Sequence, residues 1–141
     1  MFRIKRIYGD DTQQNRQIVK QVQAILSDQF KGISAEEIAR FPEYLRNPVR
    51  YRFRSVLFIA DDGKDHVRGF ALLHHAPDLH FCFLDYISAA SHRTGTGIGG
   101  ALYGDLREYA RGQKAIGLFL ECLPDDPDIC MEDQKLKQNS L

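Results

Sequence analysis

Apolar residues recur along the chain with two periods, and the points where the period changes mark its elements. Phe2, Ile4, Ile7 and Tyr8 partly alternate with Arg3, Lys5 and Arg6, which predicts a first, partly exposed strand. Gly9-Asp10-Asp11-Thr12 breaks it and offers helix N-caps. Ile18, Val19, Val22, Ile25, Leu26 and Phe30 then follow helical spacing, with Gly32 as a stop signal. Ser34-x-x-Glu37 is a capping box for a second helix carrying Ile38, Phe41 and Leu45, and Pro48 lies beyond its end. Arg50-Tyr51-Arg52-Phe53-Arg54 alternates strictly and reads as a solvated strand face, in preference to a surface for nucleic acid or an acidic partner. SVLFIA at 55–60 is a buried strand, followed by the turn Asp61-Asp62-Gly63-Lys64. VRGFALLHH at 67–75 is the next strand, and Ala76-Pro77-Asp78 turns the chain into a strand at 80–89 bearing Phe81, Phe83, Tyr86 and Ile87.

From Gly97 the period becomes helical again, with Ile98, Leu102, Leu106 and Tyr109 on one stripe. AIGLFLECL at 115–123 is a last strand, parallel to its predecessor if the helix is a crossover. The predicted order is β-α-α-β-β-β-α-β: an α+β, three-layer arrangement of helices around a mixed, mostly antiparallel sheet. One domain is expected over residues 1–123, with a polar, flexible tail at 124–141. There are no internal repeats.

Composition narrows the function classes. The chain has 141 residues, 43% hydrophobic and 11% aromatic, enough for one packed core. Lys+Arg and Asp+Glu both number 19, and a net charge of zero argues against bulk binding to nucleic acid or anionic lipid. No apolar run approaches the roughly 20 residues of a membrane span, and the N-terminus lacks a signal-peptide core. Cys82, Cys122 and Cys130 show no metal-ligand spacing, and Cys82 and Cys122 read as buried hydrophobes. The expectation is a reduced, cytoplasmic setting with no metal.

The chemistry concentrates at Thr94-Gly95-Thr96-Gly97-Ile98-Gly99-Gly100, between a strand and a helix. First-turn N–H groups have no intrahelical partner, and the helix dipole adds partial positive charge, so such a turn binds anions. Glycine lets a diphosphate approach the backbone. A mere connector would not need glycines inside a helix start, where each costs about 1 kcal/mol relative to alanine. Gly95-x-Gly97-x-x-Gly100 also satisfies a dinucleotide fingerprint, with Glu121 near the ribose-acid position. That fingerprint follows the first strand of a βαβ unit, whereas here short turns join the preceding strands as hairpins. No lysine follows the glycines, so a nucleotide phosphate loop is absent.

This segment resembles motif A of the GNAT N-acetyltransferases, Gln/Arg-x-x-Gly-x-Gly/Ala at a strand–helix junction. The chain supplies Thr94-x-x-Gly97-x-Gly99, and 85–89 is similar to the family's central strand. Thr94 stands at the Gln/Arg position, with Arg93 one place early. The resemblance covers about residues 2–123 and implies acetyl transfer from acetyl-CoA to an amine of a small molecule or protein. It implies the diphosphate on the loop (Thr94, Gly95, Thr96, Gly97, Ile98, Gly99 and Gly100) and the pantetheine arm along Ile87, Ser88 and Ala89. In the family a further helix and two strands follow, with a tyrosine as general acid. Asn139 is followed only by Ser140 and Leu141, so the expectation is a chain cut short or part of a longer protein. An open sheet edge would then favour a homodimer. ECLPDDP at 121–127 also resembles GNAT modules of larger bacterial chains.

Acetyl transfer to an amine needs a base, and Asp85 and Glu121 lie in otherwise apolar strands. Each reads equally as a base poised by its apolar neighbours or as an outward-facing carboxylate. Tyr103 and Tyr109 read as packing residues on the helix. His74, His75 and His80 read as exposed hairpin histidines, with a metal pair as the lesser alternative. Ser88 and Ser91 lack a nucleophile-elbow context. A non-catalytic CoA-binding module, as part of a larger protein, is the alternative function, and a dinucleotide-binding fragment the third.

Overall fold

The computed structural model describes residues 2–46, 53–63, 66–90 and 97–120, and the side chains of all these except 119 and 120. It is an α+β fold of three helices on a five-stranded mixed sheet. The strands are β1 (Arg3–Ile7), β2 (Arg54–Asp61), β3 (Val67–Ala76), β4 (Phe81–Ala89) and β5 (Gly117–Leu120). They lie side by side in chain order. The first four pair antiparallel, and β5 pairs parallel to β4. The helices are α1 (Gln13–Gln29), α2 (Ala35–Arg46) and α3 (Ile98–Gly112).

The central strands are apolar on both faces because both faces are covered. Val56, Phe58 and Ala60 of β2 meet Ala71 and Leu73 of β3 under Leu102 and Leu106 of α3. Leu57, Ile59, Phe70 and Leu72 point the other way and pack under Val22 and Leu26 of α1 and Phe41 of α2. The predicted helix starts are capped by side chains. Thr12 accepts from the Asn15 N–H at 3.0 Å, and the Ser34 hydroxyl accepts from the Glu37 N–H at 3.1 Å.

Helix α2 contains Pro42 in its interior. Proline has no N–H to give the carbonyl four residues back, which is Ile38. The Gln23 side-chain amide of α1 donates to that carbonyl at 2.7 Å. The defect in one helix thus becomes a tie to the other.

Two features position the site. Between Leu72 and Leu73 the register of β3 against β4 shifts: Leu72 pairs with Tyr86 and Leu73 with Leu84. Asp85 is the extra residue of a bulge, so it shares the α1/α2 face with Tyr86 instead of alternating with it. At the far end of the same pair, Gly69 lets α3 settle on the sheet. A Cβ there would lie 2.6 Å from Ile98 Cγ2 and 3.0 Å from the Ser88 carbonyl oxygen.

The histidine expectation holds for His80, exposed at the end of the turn, and is corrected for His74 and His75. His74 and His75 are 9% and 4% exposed, inside β3 and not in its turn. The strand runs on to Ala76, and a 3-10 turn, Pro77–Leu79, makes the connection to β4.

Candidate active site

Gly97 is the N-cap of α3, with φ 83° and ψ 3° and no side-chain cap. That left-handed conformation is cheap only for glycine. The first intrahelical bond here is from the Ala101 N–H to the Gly97 carbonyl, 3.0 Å. The N–H groups of Ile98, Gly99 and Gly100 precede it and point out of the helix end. Ile98 is 3% exposed and anchors the helix start in the core. A Cβ on Gly99 or Gly100 would meet nothing within 4 Å, so that side of the turn is open. An anion can therefore reach the amides, and the residues present fit a diphosphate. Thr94, Gly95 and Thr96 lie outside the described residues.

The predicted pantetheine strand runs to this helix start. Ile87, Ser88 and Ala89 pair with Ala71, Phe70 and Gly69 along one edge of β4. Ile87 and Ala89 pack against the α3-side core, and the Ser88 hydroxyl donates to the Ala89 carbonyl at 3.1 Å. Among the described residues the other edge of β4 pairs with β5 only from Phe81 to Leu84. Ile98, Ser88 and Ala89 all close on Gly69, so the start of α3 sits beside the end of β4.

Asp85 follows Leu84 on β4. Its Oδ2 is 2.8 Å from His74 Nε2, and His74 Nδ1 is 2.9 Å from the Ser55 hydroxyl. Ser55 and His74 are register partners on β2 and β3. A carboxylate only accepts, so Nε2 carries a proton, and in the neutral imidazole Nδ1 then accepts from Ser55. The imidazole is walled by rings: Phe53 at 4.5 Å, Tyr44 at 5.2 Å and Phe83 stacked at 6.4 Å between centroids. Ser55 also lines a small open pocket of ≈ 170 Å³ with Tyr8, Tyr44, Leu45 and Arg54.

Neighbouring phenols and thiols stay protonated near neutral pH. Burial, then the charges of Asp85 and Glu37, push Tyr86 up to about 12, and its hydroxyl lies 3.5 Å from Glu37 Oε2. Burial alone pushes the Cys82 thiol up to about 11. On the other face Tyr109 packs as expected, its hydroxyl 3.2 Å from His75 Nδ1. Burial holds His75 below the usual histidine range, helped by Arg54 and His80.

Of the two candidate bases, Asp85 is seated in this cluster, and Glu121 lies outside the described residues. His74 and Ser55 were not read as partners of Asp85 from the sequence. Simple alternation from the turn would not have found them: an irregularity between Ala60 and Asp61 shifts the β2–β3 register by one residue and brings Ser55 opposite His74. Among the described residues no group of three or more His, Cys, Asp or Glu side chains is set to hold a metal ion, and no helix is long and apolar enough to cross a membrane.

The Acetyltransferase (GNAT) family model matches residues 19–129. No curated protein matches the sequence. Solved structures share the fold at low identity. The crystal structure of Tetrahymena GCN5 superposes with a TM-score of 0.75 at 15% identity, over 95% of this chain and 77% of that one. An aminoglycoside acetyltransferase from an uncultured soil metagenomic sample, in complex with sisomicin, gives 0.68 at 13% identity, over 96% and 86%. The catalytic domain of the Tetrahymena GCN5 histone acetyltransferase in complex with coenzyme A gives 0.65 at 14% identity, over 84% and 66%.

Proposed function

The chain belongs to the GNAT acetyltransferase family, and from that premise we propose that it transfers an acetyl group from acetyl-CoA to an amine of a small molecule or protein. The observation that carries the reading is the junction at Gly69, where the glycine-bearing start of α3 closes on the end of β4. The amides of the loop, with Gly97 and Gly99 at its centre, take the diphosphate, and the strand backbone at Ile87, Ser88 and Ala89 takes the pantetheine amides. A fold neighbour solved with coenzyme A supports this use of the cleft.

Asp85 then faces the thioester end. It takes a proton from the acceptor ammonium, the amine nitrogen attacks the acetyl carbonyl, a C–N bond forms and the C–S bond breaks. The departing thiolate is reprotonated from solvent or an acid group. Glu121 is the second candidate for the base. Among fold neighbours, one structure holds an aminoglycoside and another is a histone acetyltransferase, so both small amines and protein lysines belong in the acceptor screen.

Calorimetry with acetyl-CoA and with NAD tests the reading, followed by thiol release with amines. Binding of acetyl-CoA and not NAD is expected. Binding of NAD alone would make the glycine loop a dinucleotide site, and acetyl-CoA binding with no thiol release from any amine would favour a CoA-binding module.

A further inference from the structure

We infer that Ser55 and His74 are positioning residues that hold Asp85 ready as the base of the transfer, an inference that rests on the acetyltransferase reading above. Three side chains from three neighbouring strands form one hydrogen-bonded line. Ser55 of β2 is 2.9 Å from Nδ1 of His74 on β3, and Nε2 of His74 donates to Asp85 of β4 at 2.8 Å; with the imidazole neutral, Ser55 is the donor of the first bond.

The direction of those bonds matters. Nε2–H engages Oδ2 of the carboxylate, which leaves Oδ1 to meet an incoming ammonium. The Ser55 hydroxyl occupies Nδ1, so the imidazole cannot turn its bare nitrogen toward Asp85 without losing that bond. Phe53, Tyr44 and Phe83 fix the ring plane. The line runs from dry to wet: Ser55 is 2% exposed, the His74 side chain 10% and the Asp85 side chain 28%. A carboxylate that only satisfied a buried histidine would have no reason to be partly open. Here the bulge sets Asp85 two residues before Ile87, at the inner end of the predicted pantetheine strand.

The same three residue types in hydrogen-bonded order invite a nucleophilic reading for Ser55. Acyl transfer through a serine needs oxyanion donors aimed at the reacting carbonyl. Ser55 lies inside a strand and is nearly closed off, and the open group of the line is Asp85. The geometry therefore points to Asp85 as the reacting end and Ser55 as the far anchor.

Steady-state kinetics on the full chain tests this. Thiol release from acetyl-CoA would be followed with tyramine, spermidine and a lysine-containing peptide, and His74→Leu, His74→Gln and Ser55→Ala compared at the best of these. His74→Leu should lower kcat about 10- to 100-fold, the range seen when a partner that orients a reacting group is removed. KM for acetyl-CoA should stay unchanged. His74→Gln keeps an N–H within reach of the carboxylate and should restore kcat to within a few-fold. Ser55→Ala should lie between. Nitrogen-15 spectra should show His74 as the Nε2–H tautomer in the intact chain and a mixture in Ser55→Ala.

A merely structural pair would lower the melting temperature in all three variants and leave kcat of the folded protein alone. That result, or His74 exchanging freely between tautomers in the intact chain, overturns the positioning role. Bound acetyl-CoA with no turnover of any of the three amines overturns the transferase reading, and the role of the line with it. Acid-stable acetylation of Ser55 would overturn the assignment of Asp85 as the reacting end.

Discussion

At Gly97 the backbone stands at φ 83°, where a side chain costs about 1–2 kcal/mol. Gly99 has no such need: its φ is helical, and a Cβ would meet nothing within 4 Å. Alanine would favour the helix there by up to about 1 kcal/mol. Glycine at that position is a cost to folding, and the proposed access of a diphosphate to the amides would account for it. Gly99→Ala should therefore raise the melting temperature while weakening acetyl-CoA binding about tenfold, roughly 1.4 kcal/mol. Gly97→Val should both destabilise the chain and abolish binding. If Gly99→Ala binds acetyl-CoA as well as the unchanged chain, the ligand does not approach that amide. The glycines were legible because chemistry and local sequence coincide. Asp85 was legible only as a carboxylate in an apolar strand. Its partners were not, because they come from strands joined through hairpins, and because a bulge moves Asp85 off simple alternation. His74 was misread as exposed: two adjacent histidines next to Ala76-Pro77-Asp78 resemble a strand's open end, yet both are buried there.

Elements followed from periodicity almost throughout. The order of helices and strands was visible as changes of period and the two helix caps as local motifs, whereas the faces of β2 and β3 were not, since both strands are apolar on both sides. The start of α1 at Gln13 was marked only by its cap candidates, Thr12 among them, since its first turn is polar and carries no hydrophobic signal. Pro42 sits inside α2, where the sequence suggested an uninterrupted helix. Its tolerance depends on another element, since Gln23 of α1 answers the carbonyl of Ile38. Gln23→Leu should thus cost about 1–2 kcal/mol, the penalty for a carbonyl left without a partner. Pro42→Ala restores an N–H at the right place in α2. In that background Gln23→Leu should cost much less, and a double-mutant cycle on chemical unfolding would read the difference as a coupling. Additive losses would mean that Gln23 contributes by packing alone.

At the scale of the whole molecule, ionisable groups brace the sheet at both ends, and their shifted equilibria set how stability depends on pH. Asp61 ends β2 and pairs with Lys5 of β1 at 2.9 Å, with Arg3 at 3.8 Å and the Gly63 N–H at 3.1 Å. Burial opposes its charge, but Lys5, Gly63 and Arg3 together hold it below its ordinary 3.8. His75, between β3 and α3, is held below its ordinary 6.5, chiefly by burial. Both shifts are downward, so the unfolded chain takes up these protons first as pH falls. Stability should decline in two stages, one beginning below about pH 6.5 and one below about pH 3.8. Cys82 is shifted the other way, from 9.0 to about 11, because burial disfavours its thiolate. The unfolded chain then loses that proton first, and stability should fall again as pH rises beyond about 9. Melting temperatures measured from pH 3 to 11 should trace a plateau at neutral pH with losses on both sides. In His75→Gln the slope between pH 6.5 and 5 should flatten relative to the unchanged chain, whatever the other histidines contribute, because only the difference between the two curves is read. An identical slope in both would mean that His75 titrates alike in the folded and unfolded states, and that the seam between β3 and α3 admits its charge.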